Sequence, residues 1–125
     1  MANYVELQNQ LIKDYKIIHE PDSKCWKRTH VHVKQRRICK HHIKESYQAL
    51  FILLHEIGHI MTDRPGMKRA ESESEAIIWQ VAKMREFGFK IKQKELKKYK
   101  DYVRMTYDRG VRRGLSKRIK SKLYM

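Results

Sequence analysis

Apolar side chains recur at Val5, Leu7, Leu11, Ile12, Tyr15 and Ile18, a spacing that predicts an amphipathic helix over residues 4–18. Pro21-Asp22-Ser23 closes it. The next pattern is different. Residues 28–33 alternate and are β-branched (Thr29, Val31 and Val33 alternating with Arg28, His30 and His32), which predicts a short strand. Arg37-Ile38-Cys39 predicts a second, returning through Lys34-Gln35 as a hairpin. From 45 to 61 the pattern loses its polar face. Ala49, Leu50, Phe51, Ile52, Leu53, Leu54, Ile57 and Ile60 surround the axis, and a helix apolar all round is a buried helix. Residues 62–66 read as a turn, 68–87 as a further helix stopped by Gly88, and 93–107 as a helix with Leu96, Tyr99, Val103 and Tyr107 on one side. Gly110 and Gly114 are expected to interrupt the chain beyond residue 107.

These elements make an α+β chain, mostly helical, with a short β hairpin or small sheet packed beside the helices. At 125 residues it has room for one core, assigned to residues 1–110, with 111–125 as a basic C-terminal tail. The net charge of +15 is unevenly placed. Residues 1–82 hold 13 Lys and Arg against 10 Asp and Glu, whereas residues 83–125 hold 16 against 4. A basic third of this kind attracts polyanions, so non-specific nucleic-acid contact is expected there. No recognised DNA-reading motif accompanies it. No apolar run approaches the roughly 20 residues that span a bilayer, and the start has no basic segment followed by an apolar one. The expectation is a cytoplasmic protein with reduced Cys25 and Cys39 and no membrane partner. Alternatives to free thiols are a Cys25–Cys39 disulfide, which that compartment disfavours, and, more sharply, a zinc site of Cys25, Cys39, His41 and His42, although no C-x-x-C pair supports it.

Within the apolar stretch, the strongly polar residues after Gln48 are His55, Glu56 and His59, in the spacing H-E-x-x-H. Residues i and i+4 are about 40° apart around a helix, so His55 and His59 project from one side and can grip one ion. Glu56 lies about 100° from His55, close enough to reach a water on that ion without ligating it. Zinc lowers the pKa of a water it binds to about 7, and a neighbouring carboxylate can take the proton and return it to a leaving amine. Polar groups in an apolar helix need partners, and a metal supplies them.

A catalytic zinc takes three protein ligands. No histidine follows His59, so the third must be a carboxylate, and Glu71, Glu73 and Glu75 are offered together. At about 100° per residue with Glu73 at zero, Met84, Ile77, Ala70 and Val81 fall between about 20° and 80°. Phe87 and Ala76 fall at about −40° and −60°. Glu73 is therefore centred on the core-facing stripe, with Glu71 and Glu75 on the far side. A carboxylate there needs a cation. Glu73 is the chosen third ligand and Glu75 the runner-up.

The segment LLHEIGHIM followed by ESESEAIIWQVAKMREFGF resembles the ImmA/IrrE family of metallopeptidases, in which H-E-x-G-H precedes a helix of the form E-x-x-A-[ND]-x-[FW]-A. The likeness covers roughly residues 28–90. It implies a zincin-like fold, Zn2+ as cofactor, His55, His59 and Glu73 as its ligands and Glu56 as the catalytic base. It also implies a protein substrate, for several members remove a helix-turn-helix repressor encoded beside them on phages and mobile elements. Ile77 and Gln80 depart from it, standing where the family has Asn or Asp and Ala. The Ile77 departure removes a partner for a zinc ligand.

Two functions are thus expected to compete. One is a zinc endopeptidase of gluzincin type, acting on a protein partner such as a phage or mobile-element repressor. The other is a nucleic-acid- or repressor-binding protein whose zinc is structural or non-catalytic. An intact Glu56 favours the first. Tyr47, Tyr99, Tyr102 and Tyr107 are candidates for stabilising an oxyanion, with Tyr99, Val103 and Tyr107 more simply a packing face. The remaining histidines, His19, His30, His32, His41 and His42, are expected at the surface or in support of strands.

Overall fold

Helix α1, Tyr4–Asp14, begins where two acceptors meet its unpaired amides. The Asn3 side chain accepts from Glu6 N at 2.9 Å. The Glu45 carboxylate accepts from Tyr4 N at 2.6 Å and Val5 N at 2.9 Å, placing negative charge at the positive end of the helix. The computed structural model describes residues 3–24 and 27–112. Its packing forms two compact units, one ending at Ile60 and the other beginning at Met61.

In the first unit the expected helix over 4–18 stops four residues early. Lys16 takes φ 52°, Lys16 N donates to Lys13 O, and Ile17 N reaches back to Ile12 O at 2.9 Å. That is a Schellman stop with lysine in the place glycine usually holds, so no glycine marked it in the sequence. Ile17 is buried, and Ile18 opens a strand, β1 (Ile18–Glu20), instead of a helical turn. Strands β2 (His30–His32) and β3 (Arg37–Cys39) form the expected antiparallel hairpin, closed by Arg36 N donating to Val33 O at 3.1 Å. β1 adds in parallel on the other side of β3, with Ile18 opposite Arg37, giving the order β1-β3-β2. Ile38 and Cys39 on the central strand are fully buried.

Helix α2, Tyr47–Thr62, starts at Ser46, whose Oγ accepts from Ala49 N at 3.1 Å. Leu50, Leu53, Leu54 and Ile57 along it are inaccessible to solvent. The helix is not sealed all round as its composition implied, because Ile52 is 38% and Met61 44% exposed. Among the described residues no helix is long and apolar enough to cross a membrane.

The second unit opens with a turn in which Gly66 takes φ 80°. Arg64 bonds Glu71 at 2.9 Å, and the Ser72 hydroxyl donates to Asp63 at 2.7 Å. Helix α3 then runs Arg69–Glu86 and ends in a second Schellman stop, this one at Gly88 with φ 87°. Gly88 N donates to Arg85 O and Phe89 N to Met84 O. Phe87, expected on the core stripe, is the C-cap and is 37% exposed. Helix α4, Gln93–Arg112, packs on α3 through Val103 against Ile77 and Val81, with Ile91, Leu96 and Tyr99 around them. Gly110 does not interrupt α4: a glycine inside a helix costs about 1 kcal/mol, and the helix continues one residue pair past it. The Tyr107 side chain and the tail beyond Arg112 lie outside the described residues.

Gln8 and His41 are the most buried polar pair of the first unit, at 0% and 2% exposure. Both amide hydrogens of Gln8 are committed, to Tyr4 O at 2.8 Å and Lys44 O at 2.7 Å. Its Oε1 therefore faces His41 Nε2 at 3.0 Å, and that nitrogen must carry the hydrogen. His19 Nε2 donates to the His41 carbonyl at 2.6 Å. Burial, followed by the charges of His19 and His42, pulls the His41 pKa down from 6.5 to about 4. The unfolded chain therefore takes up this proton first as pH falls. Stability contributed by neutral His41 is complete above pH 6.5 and is lost between 6.5 and about 4. With chelator present, urea unfolding should lose about 1 kcal/mol per pH unit across that window. His41→Leu should be less stable at pH 7 and show a flatter profile.

Candidate metal centre

The H-E-x-x-H residues occupy the third and fourth turns of α2, where the surrounding apolar surface is buried. His59 is 7% exposed, and His55 and Glu56 are half-buried. The i, i+4 spacing puts the two imidazoles side by side, with ring centroids 4.8 Å apart and planes at 89°. Glu73 lies in the second turn of α3. The buried residues of that helix are Ala70, Ser74, Ala76, Ile77, Gln80, Val81 and Met84. With Glu73 at zero these fall from about −60° to 100°, so its Cα sits within the buried stripe.

The ligand atoms of His55, His59 and Glu73 all lie within 4.8 Å of one another, a group that could hold a metal ion. Donors on a tetrahedral ion at 2.0–2.2 Å stand roughly 3.4 Å apart. Two imidazoles and one carboxylate suit zinc in charge and softness, and leave a fourth position for water or substrate. Glu75 is not part of this group, and Glu71 is held by Arg64.

Sequence reasoning did not single out Arg69, one helical turn before Glu73. Its guanidinium hydrogen-bonds to Tyr102, which raises its pKa, and the charge of Glu73 acts in the same direction. The i, i+4 spacing of Arg69 and Glu73 was the available signal. Among the oxyanion candidates, Tyr102 is thus engaged by Arg69. Tyr47 rests against Phe51 at 5.3 Å. Tyr99 packs in the α3–α4 core, its pKa pushed up to about 12 by burial and then by Glu95. The Tyr107 side chain is outside the described residues.

The cysteine-based zinc reading finds no support. Cys39 is a buried free thiol, His41 Nε2 is engaged by Gln8, and Cys25 lies outside the described residues. Among the described residues no metal-capable group includes Cys39, His41 or His42. His30 and His32 stack edge to face on β2 at 4.7 Å.

No family model, curated protein or solved structure matches this chain.

The donor set makes an ordered prediction. Zinc in excess of its dissociation constant raises the thermal midpoint of the wild-type chain, by an amount equivalent to about 2.7 kcal/mol at a hundredfold excess. Chelator reverses the gain. His59→Ala and Glu73→Gln abolish it, whereas Glu75→Gln keeps it; the reverse order for the two glutamates would move the third ligand to Glu75.

Proposed function

We propose that the chain is a zinc-dependent endopeptidase with a zincin-like arrangement, in which His55, His59 and Glu73 hold the ion and Glu56 is the base. The observation that carries this reading is the convergence of those three donors to within 4.8 Å, on the residues that helical spacing alone singles out. Bound zinc supplies Lewis acidity, polarising a scissile carbonyl and making water acidic enough to give up a proton near neutral pH.

The remaining chemistry belongs to the protein. Glu56 follows His55 directly, so its carboxylate is offset by about 100° and is directed beside the ligands instead of among them. From there it takes a proton from the attacking water and passes it to the leaving amine. Half-burial of Glu56 limits competing solvent around the carboxylate while leaving it reachable. A purely structural ion would have no use for a carboxylate in that position. The resemblance to ImmA/IrrE metallopeptidases supports the same roles and points to a protein substrate, of which a helix-turn-helix repressor is the favoured example. Ile77, where that family has Asn or Asp, is 1% exposed and packs with Val81 and Val103. In this chain that position serves the core.

Glu56→Gln separates catalysis from metal binding. The variant should keep the zinc-dependent rise in thermal midpoint and lose about 10²- to 10⁴-fold in cleavage of a co-expressed repressor. Equal repressor loss with wild type and Glu56→Gln would exclude proteolysis by this route and leave a binding protein with a non-catalytic ion.

A further inference from the structure

We propose that the outward face of α4 is a sequence-independent binding surface for the phosphate backbone of duplex nucleic acid. The helix carries seven Lys and Arg against three Asp and Glu over 20 residues. Its apolar side is already used. With Leu96 at zero, Val103, Tyr99 and Thr106 fall between about −20° and −80°. Val103 and Thr106 are buried, Leu96 and Tyr99 pack on the α3–α4 core, and the Thr106 hydroxyl is turned inward onto Val103 O at 2.7 Å. Packing of that side fixes which residues the other side presents. Lys100, Arg104, Lys97, Lys94, Lys98 and Arg109 spread from about 40° to 220°, and all six are exposed. Fifteen residues separate Lys94 from Arg109, about 22 Å of helix.

The form of this surface selects its partner. A duplex carries one charge per about 1.7 Å of axis, so a 22 Å rod of lysine and arginine can face about a dozen phosphates. A membrane-binding helix needs an apolar face to insert, and here that face is consumed by α3, leaving Tyr102 and Met105 as the exposed large hydrophobics of α4 among the described residues. Single-stranded nucleic acid is held by stacking on aromatic platforms. Tyr102 is the one described aromatic exposed on this helix, and it is engaged by Arg69. Asp101 and Asp108 lie within the basic arc. They hold the number of simultaneous phosphate contacts to about four and keep binding moderate and strongly salt-dependent.

The test uses the full chain and fluorescence polarisation with two 20-base-pair duplexes of unrelated sequence, from 50 to 200 mM salt. Expected are affinities within about twofold of each other and a slope of log K against log salt near −4. Lys97→Gln with Lys98→Gln and Arg104→Gln should weaken binding at least about tenfold at 50 mM salt and reduce the slope by about 2 to 3, with helicity by circular dichroism unchanged. Glutamine replacement of Arg113, Lys117, Arg118, Lys120 and Lys122 should leave most of the slope in place. Glu56→Gln and chelator-treated protein should bind as wild type, so failure of the peptidase reading leaves this result standing. The proposal is overturned if the α4 variant binds as wild type, if only the tail variant loses binding, if one duplex is strongly preferred, or if phosphatidylserine vesicles are bound and duplexes are not.

Discussion

The cost of placing polar side chains in an apolar helix governs how this chain is arranged. α2 buries Leu50, Leu53, Leu54 and Ile57 completely, and that burial draws His55, Glu56 and His59 out of water with them. An imidazole or carboxylate removed from solvent without a partner is destabilising, and far more so when it is charged. Two imidazoles from one helix and the Glu73 carboxylate from another, gathered within 4.8 Å, are suited to being satisfied together by one divalent cation. Ile77, on the same helix as Glu73, is given instead to packing against Val81 and Val103.

The first unit meets the same cost by a different route. His41 is buried like His59; burial keeps it neutral, and a chain of hydrogen bonds runs from it through Gln8 to the backbone at Tyr4 and Lys44. That network ties α1 to the segment after β3 and needs no ion, at the expense of acid sensitivity. His55 and His59 stand side by side, with ligand atoms within 4.8 Å of each other and of Glu73. Histidine is therefore structural at 41 and positioned for ligation at 55 and 59.

α4 divides its own surface in a comparable way. The side that packs on α3 is short and apolar, and its burial leaves the lysines and arginines spread over the rest of the circumference. Seven of the sixteen lysines and arginines of residues 83–125 are thereby carried along one helix.

Much of this was readable from residue order. The hairpin of β2 and β3 followed from alternation, α2 to α4 from periodicity, and Glu73 over Glu75 from a helical wheel, because each depends on neighbours along one element. β1 was not readable. Its partner in the sheet lies 19 residues away and pairs in parallel, and three residues of Ile-His-Glu carry no strand pattern of their own. The end of α1 was hidden because lysine, not glycine, takes the left-handed turn at position 16, whereas Gly88 announced the equivalent turn after α3. The exposure of Ile52 and Met61 was likewise set by packing. Sequence alone therefore determined which side chains share a helix face and which chemistry they can offer. Tertiary structure decided which faces are covered and which donors meet, since both depend on segments distant in the chain that no local periodicity records.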